Sequence, residues 1–279
     1  MRPRTRDELL DHIRAHPIEG SLESKREAFR ARLLPPDGLG TRADVGGVPG
    51  RLFGGELDDL AAVFLHGGGY VLGGPGTQGH LVATLAEELG GSVFAARYPL
   101  APEHVWPAQL EDVRALADAS AGSLALVGSS AGGHLALNLA LKRPGAFRAL
   151  ALFSPNTDRT GRSHTREANT PHDAMNSDAG DRAFFRMAMP DTAPDGPQAS
   201  PLLADLSRLP PTFLSATEGE VLLGDTLLLA RALEEAGIRH ETVVAPYTEA
   251  GMHMFESWPD ILPAGRHAIA QAARFILDA

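Results

Sequence analysis

The most constraining stretch of the chain is Ser123-Leu-Ala-Leu-Val-Gly-Ser-Ser-Ala-Gly-Gly-His-Leu-Ala-Leu-Asn138. It reads as a short apolar strand over Ser123 to Val127, a sharp turn, and a helix running to about Lys142. The turn carries Gly128-Ser129-Ser130-Ala131-Gly132, a G-x-S-x-G pattern. A serine at the tip of so tight a strand-to-helix corner has a strained backbone. The residues two before and two after it must therefore be small, and its hydroxyl projects free of the sheet above a helix N-terminus. The plainer reading is a glycine-rich turn with an incidental serine, which the five residues alone do not exclude. The apolar strand before them and the helix after them favour the reactive corner.

The rest of the chain supplies a setting for such a corner. Residues 5 to 34 read as two amphipathic helices. Thr5-Arg-Asp-Glu8 has the capping-box form, Leu9, Leu10 and Ile13 form a stripe, and the second helix runs from Ser21 to Leu34 before Pro35-Pro36. His12 and His16 lie one turn apart, but without an H-E-x-x-H pattern or a third ligand they read as exposed helix histidines. The glycine-rich run Arg42 to Phe53 suits one or two edge strands. Ala61 to Leu65 is a short, continuously apolar strand of the kind a parallel sheet buries.

That strand leads into His66-Gly-Gly-Gly69-Tyr70. Three glycines let backbone N–H groups turn inward and approach a ligand closely, as an oxyanion requires. A merely flexible loop is the alternative. A phosphate loop is disfavoured because G-x-x-x-x-G-K-[ST] is absent. A helix over Thr77 to Leu89, a strand over Ser92 to Ala96, a proline-rich loop over Tyr98 to Pro107 and a helix from Pro107 to about Ala119 lead back to the serine corner. This alternation predicts an α/β fold, a parallel sheet with helices on both faces.

After the strand Arg148 to Phe153 the alternation fails. Ser154 to Pro211 is polar, proline-rich and irregular, with one helix expected over Asp178 to Met189. A segment this long inside a compact domain is usually functional, often a lid. Phe184, Phe185, Met187 and Met189 read as packing that helix onto the domain rather than as lining a pocket. Alternation resumes with a strand over Pro211 to Ala216, a loop Thr217 to Asp225, a helix to about Ala236, a strand over Arg239 to Ala245, a loop carrying Gly251-Met-His-Met-Phe255, and a last helix over Ala264 to Leu277.

Composition narrows the chemistry. With 279 residues and 43% hydrophobic residues the chain can bury a large core. Its net charge of −10 argues against a nucleic-acid partner and against docking on anionic lipid. It has no cysteine, which removes disulfides, thiolate metal sites and cysteine nucleophiles. Lys25 and Lys142 are its only lysines, which disfavours Schiff-base chemistry. No apolar run reaches the roughly 18 residues of a membrane helix. The charged start Met1-Arg-Pro-Arg-Thr-Arg-Asp-Glu8 has no apolar region behind it, so no signal peptide is read and the cytoplasm is the default location.

Ser130, an acid just beyond the strand at 211–216, and His253 follow one another in the chain order of an α/β-hydrolase triad, each after a strand. Five collinear motifs then carry a resemblance: His66-Gly-Gly-Gly69, Tyr98-Pro-Leu-Ala-Pro-Glu-His104, Gly128-Ser-Ser-Ala-Gly-Gly133, Ser200-Pro-Leu-Leu-Ala-Asp-Leu206 and Met252-His253. From about residue 60 onward the chain resembles the hormone-sensitive-lipase-like esterases of microbes. The resemblance implies an α/β-hydrolase fold, with a mostly parallel central sheet and a small helical cap. Residues 1–40 would be N-terminal cap helices, 155–205 a cap insertion, and 41–154 with 206–279 the core.

Carried over position by position, it implies Ser130 as nucleophile and His253 as general base, with the N–H groups of Gly68, Gly69 and Ala131 as oxyanion donors. Glu220 stands collinear with the family's usual aspartate and is the expected acid, with Asp225 in reserve. Ser129 replaces a frequent aspartate, and the histidine motif is one residue shorter. The chemistry needs no metal or cofactor. The partner it implies is a small-molecule ester, and because members of the family often pair through the last strand and helix, a homodimer is left open. Two other readings share these residues: a hydrolase, lactonase or acyltransferase dedicated to one metabolite, and a ligand-binding receptor on the same fold. The retained serine, histidine and glycine loop disfavour the receptor.

Overall fold

The structure is a computed structural model that describes residues 2–35 and 38–279. Two helices come first, α1 (Arg6–Arg14) and α2 (Leu22–Leu33). The Thr5 hydroxyl accepts from the Glu8 N–H and the Ser21 hydroxyl from the Ser24 N–H, so each helix starts on a side-chain cap. The Glu8 carboxylate reaches the Arg4 N–H rather than that of Thr5, so the expected box closes one residue early. Pro36, half of the expected stop after α2, lies outside the described residues. His12 and His16 are half-buried, not exposed: each ring bonds a backbone carbonyl, of Ala31 and of His12 respectively.

The sheet has eight strands: β1 (Thr41–Val45), β2 (Val48–Phe53), β3 (Leu60–Leu65), β4 (Ser92–Ala96), β5 (Ala125–Ser129), β6 (Ala149–Phe153), β7 (Thr212–Thr217) and β8 (His240–Ala245). Their spatial order is β1-β2-β4-β3-β5-β6-β7-β8. The β1–β2 hairpin is the antiparallel edge, and every pair from β4 to β8 is parallel. This is the α/β-hydrolase fold. β5 begins and ends two residues later than the sequence suggests, so Gly128 and Ser129 belong to the strand and Ser130 stands at its tip.

The two-residue strand period divides the core between the faces. Val63, Leu65, Leu126, Leu150, Leu152 and Leu214 point to one side, where they meet α4 (Ala108–Ser120), α5 (Ala131–Lys142) and α8 (Leu223–Glu235). Ala62, Phe64, Val127, Ala151, Phe153 and Phe213 point to the other, against α3 (Gly79–Leu89) and α9 (Pro263–Leu277). Because β5 and β6 are buried on both faces, they read as unbroken apolar runs. Among the described residues no helix is long and apolar enough to cross a membrane.

Two further helices lie in the irregular segment, α6 (Thr165–Ala168) and α7 (Asp178–Ala188), the first of which the sequence does not announce. Four charged side chains organise that segment. The Arg166 guanidinium bonds both oxygens of Asp225, at 3.0 and 2.7 Å, and Asp181 at 2.6 Å, while Arg159 also pairs with Asp181. Asp225 lies in the first turn of α8, not in the preceding loop as expected, because the helix begins at Leu223. The loop between β4 and α4 links the layers: Glu103 takes a bidentate pair from Arg26 of α2, and the Trp106 indole donates to Gln198.

Candidate active site

The β5–α5 corner has the backbone that its glycines demand. Ser130 sits at φ 54°, ψ −118°, a strained conformation for a residue with a side chain. A Cβ on Gly128 would lie 2.3 Å from the Gly132 carbonyl oxygen, and one on Gly132 2.0 Å from that of Leu65. Nothing larger than glycine fits at either position without moving the chain. The Ser130 N–H donates to the Phe153 carbonyl and its own carbonyl accepts from His134 and Asn156, which clamps the corner to β6.

His253 enters from the loop after β8, and its Nε2 lies 2.8 Å from the Ser130 hydroxyl. Its other ring nitrogen, Nδ1, faces Glu220 Oε1 at 3.7 Å. Both atoms are buried, and neither has a hydrogen-bond partner among the described residues. Closing the gap by less than an ångström would make a hydrogen bond, and such contacts commonly tighten only around a bound substrate. The second Glu220 oxygen accepts from the Ser154 hydroxyl at 2.8 Å and the Thr217 N–H at 3.1 Å. Asp225, the reserve acid, is held by Arg166 and by the N–H groups of Thr157 and Asp158. The structure therefore brings Ser130, His253 and Glu220 together and leaves Asp225 in the ion network beneath α6.

Burial sets the protonation of this group. It pushes the Glu220 carboxyl up to about 8, against the Ser154 hydroxyl and the Thr217 N–H, which favour the ionised form. It pushes the His253 imidazole below its ordinary value, against the neighbouring carboxylates, Asp173 foremost. The imidazole is thus held neutral, with Nε2 facing the serine hydroxyl. His66 is likewise held neutral by burial, down to about 4, and stacks on Tyr98 with ring centroids 4.1 Å apart. Its part is to shape the glycine loop.

That loop runs at positive φ through Gly68, Gly69 and Tyr70. A Cβ on Gly68 would lie 2.4 Å from the Leu72 carbonyl oxygen. Among the described residues the N–H groups of Gly68, Gly69 and Ala131 donate to no protein acceptor. Gln78 pins the surroundings: its side chain accepts from the Gly67 N–H and donates to the hydroxyls of Ser129 and Ser257, joining the glycine loop, the serine strand and the histidine loop.

Three contributors were not legible in the sequence. Asp173 accepts from the N–H groups of Val221 and His253, tying the Glu220 turn to the His253 loop. Ser154, at φ 47°, bonds both Glu220 and the Met254 N–H. Gln78 sits at the start of α3 with nothing local to mark it. Only a long-range pairing signal could have found any of them.

Ser130 and His253 open on a cavity of about 330 Å³. Phe29, Arg32, Asp173, Met175 and Phe184 line it together with Gly68 and Gly69. Phe184 lies against the glycine loop, where a Cβ on Gly69 would come within 2.9 Å of it, so this aromatic does line the pocket. Phe185 instead packs under the Arg159 guanidinium, and Met189 is buried in the core, as expected for packing residues. Among the described residues no cluster of His, Asp and Glu suits a metal ion.

Comparison with known proteins fits this geometry. The family model described as alpha/beta hydrolase fold matches residues 62–256. An acetyl-hydrolase of Streptomyces hygroscopicus is 33% identical over 244 residues, which cover 80% of this chain and 77% of that protein. An esterase of Acinetobacter venetianus is 30% identical over 241 residues, covering 82% and 78%. Among solved structures, an esterase from the bacterial hormone-sensitive lipase family superposes with a TM-score of 0.89 at 28% identity, over 98% of this chain and 97% of that one. These similarities agree with the resemblance drawn from the five motifs.

Proposed function

The chain belongs to the α/β-hydrolase fold family, and on that premise we propose that it is a serine carboxylesterase acting on small, short-acyl esters through Ser130, His253 and Glu220. The observation that carries this reading is the 2.8 Å contact between His253 Nε2 and the Ser130 hydroxyl, beside three N–H groups without acceptors. His253 Nε2 takes the hydroxyl proton as Ser130 Oγ attacks the ester carbonyl carbon. The oxyanion accepts hydrogen bonds from Gly68, Gly69 and Ala131. His253 then gives its proton to the leaving alcohol, and the acyl group stays on Ser130. Water repeats the sequence on the acyl-enzyme, releasing the acid and restoring the serine. Glu220, once ionised, holds Nδ1–H towards itself, which leaves Nε2 free to accept, and it stabilises the imidazolium.

Residues 1–40 and 155–205 act in this proposal as a cap over the core. Phe29 of the first and Phe184 of the second line the cavity with Ser130 and His253. A cavity of about 330 Å³ has room for a short ester beside Ser130. In this proposal two copies pair through the open edge strand β8 with α9. Hydrolysis of p-nitrophenyl esters from acetate to palmitate tests the reading. Turnover should peak on short chains and fall by about 10⁵–10⁶-fold in Ser130→Ala. Undiminished activity in the variant, or a preference for palmitate, would overturn it.

A further inference from the structure

Two arginines are buried in the described structure, and their surroundings differ sharply. Arg166 is 4% exposed and meets Asp225 and Asp181. Arg32, 8% exposed in the last turn of α2, meets no carboxylate among the described residues. Its Nε donates to the His16 carbonyl at 2.6 Å, and its Nη1 reaches the carbonyls of Met175 and Ala174 only at 3.4 and 3.5 Å. Its Nη2 donates to nothing among those residues. A guanidinium has five N–H donors and keeps its charge in proteins, so this is a largely buried cation whose spare donors are available to the cavity it lines.

It lines the same cavity as Ser130 and His253. The other charged groups on that wall are already accommodated or exposed. Asp181 is paired with Arg159 and Arg166. Asp173 accepts from the N–H groups of Met175, Asn176, Val221 and His253, and Glu19 is exposed to solvent. Asp173 attracts Arg32 at a distance without pairing with it, while burial works against the Arg32 charge. Ile18, Phe29 and Met175 add apolar surface to the same cavity.

We propose that Arg32 is a specificity-determining residue and that the site takes esters carrying a free carboxylate, which the spare Arg32 donors hold while Ser130 attacks the ester carbonyl. The inference rests on the esterase reading of the same site. A carboxylate, small and planar, can use the two free N–H groups of Nη2, and the cavity volume leaves room for it beside a short ester. The reaction is ordinary hydrolysis: monoethyl succinate and water give succinate and ethanol.

The test compares each anionic ester with a neutral one of nearly the same shape. Monoethyl succinate against ethyl levulinate places the charge on the acyl side. Carboxymethyl butyrate against acetonyl butyrate places it on the alcohol side. In at least one pair, kcat/KM should favour the anionic ester by about tenfold or more, the range of a hydrogen bond to a charged group. Arg32→Met should erase that ratio, and Arg32→Lys should keep part of it. A merely structural Arg32 would lower both members of a pair in proportion. Turnover of the neutral esters with no preference in either pair overturns the inference alone, and so does a ratio that survives Arg32→Met. The wild-type ratios remain decisive even where the variant fails to fold. No turnover of any of the four esters overturns the reading on which the inference rests.

Discussion

At the β5–α5 corner and the glycine loop, position is set by backbone sterics. Gly128, Gly132 and Gly68 sit where a Cβ would collide with a main-chain carbonyl, and Ser130 is held at positive φ between two regular elements. Across the cavity, in the segment after β6, position is set by charge. Arg159, Arg166, Asp181 and Asp225 join α6 and α7 to α8, while apolar side chains such as Met189 and Leu206 pack the segment onto the core. A corner fixed by sterics is rigid and can hold a nucleophile to the accuracy that catalysis requires. A segment fixed by ion pairs can change its lining residues without disturbing the sheet, which suits the part of a site that selects a substrate.

The comparison turns on two carboxylates five positions apart, Glu220 and Asp225. Glu220→Gln should lower kcat by about 10³–10⁴-fold with little loss of stability, because it removes the group that orients His253 in the proposed triad. Asp225→Asn should do the reverse. It leaves Arg166 short of a counter-charge, costing about 3–5 kcal/mol in chemical denaturation, with the activity of the remaining folded protein much less affected. If the two variants exchange these phenotypes, the assignment of chemistry to one carboxylate and support to the other is wrong.

A smaller effect is expected at Ser154, which donates to Glu220 from outside the reacting group. Ser154→Ala should lower kcat about tenfold and change KM little. It should also move the rising limb of the kcat/KM profile to higher pH. The sign follows from the bond: the hydroxyl favours ionised Glu220 and so holds its pKa below where burial alone would put it. Without that donor, a higher pH is needed to ionise the carboxyl. A profile that stays in place would mean that Ser154 only packs.

The same contrast explains what the sequence could tell. The corner and the glycine loop are legible because their constraints are local: a glycine two residues away, or three in a row after an apolar strand. The sheet is legible because β3 to β6 carry nearly continuous apolar runs. The choice between Glu220 and Asp225 is not, since it depends on a turn that aims one inward and on α8 starting early enough to carry off the other. The partners of Arg166 lie 15 and 59 positions away, and Asp173 reaches 48 positions to Val221 and 80 to His253. No periodicity announces pairings at such distances, so α6 and the ion network could not be foreseen.

The most direct measurement is covalent capture of the nucleophile. Folded protein treated with a p-nitrophenyl alkylphosphonate should gain one phosphonyl group, lose esterase activity in step, and carry the label on Ser130 by peptide mass spectrometry. His253→Ala should slow that labelling by orders of magnitude. Labelling at Ser129 or another hydroxyl, or no labelling of protein that hydrolyses esters, would contradict the account at its centre.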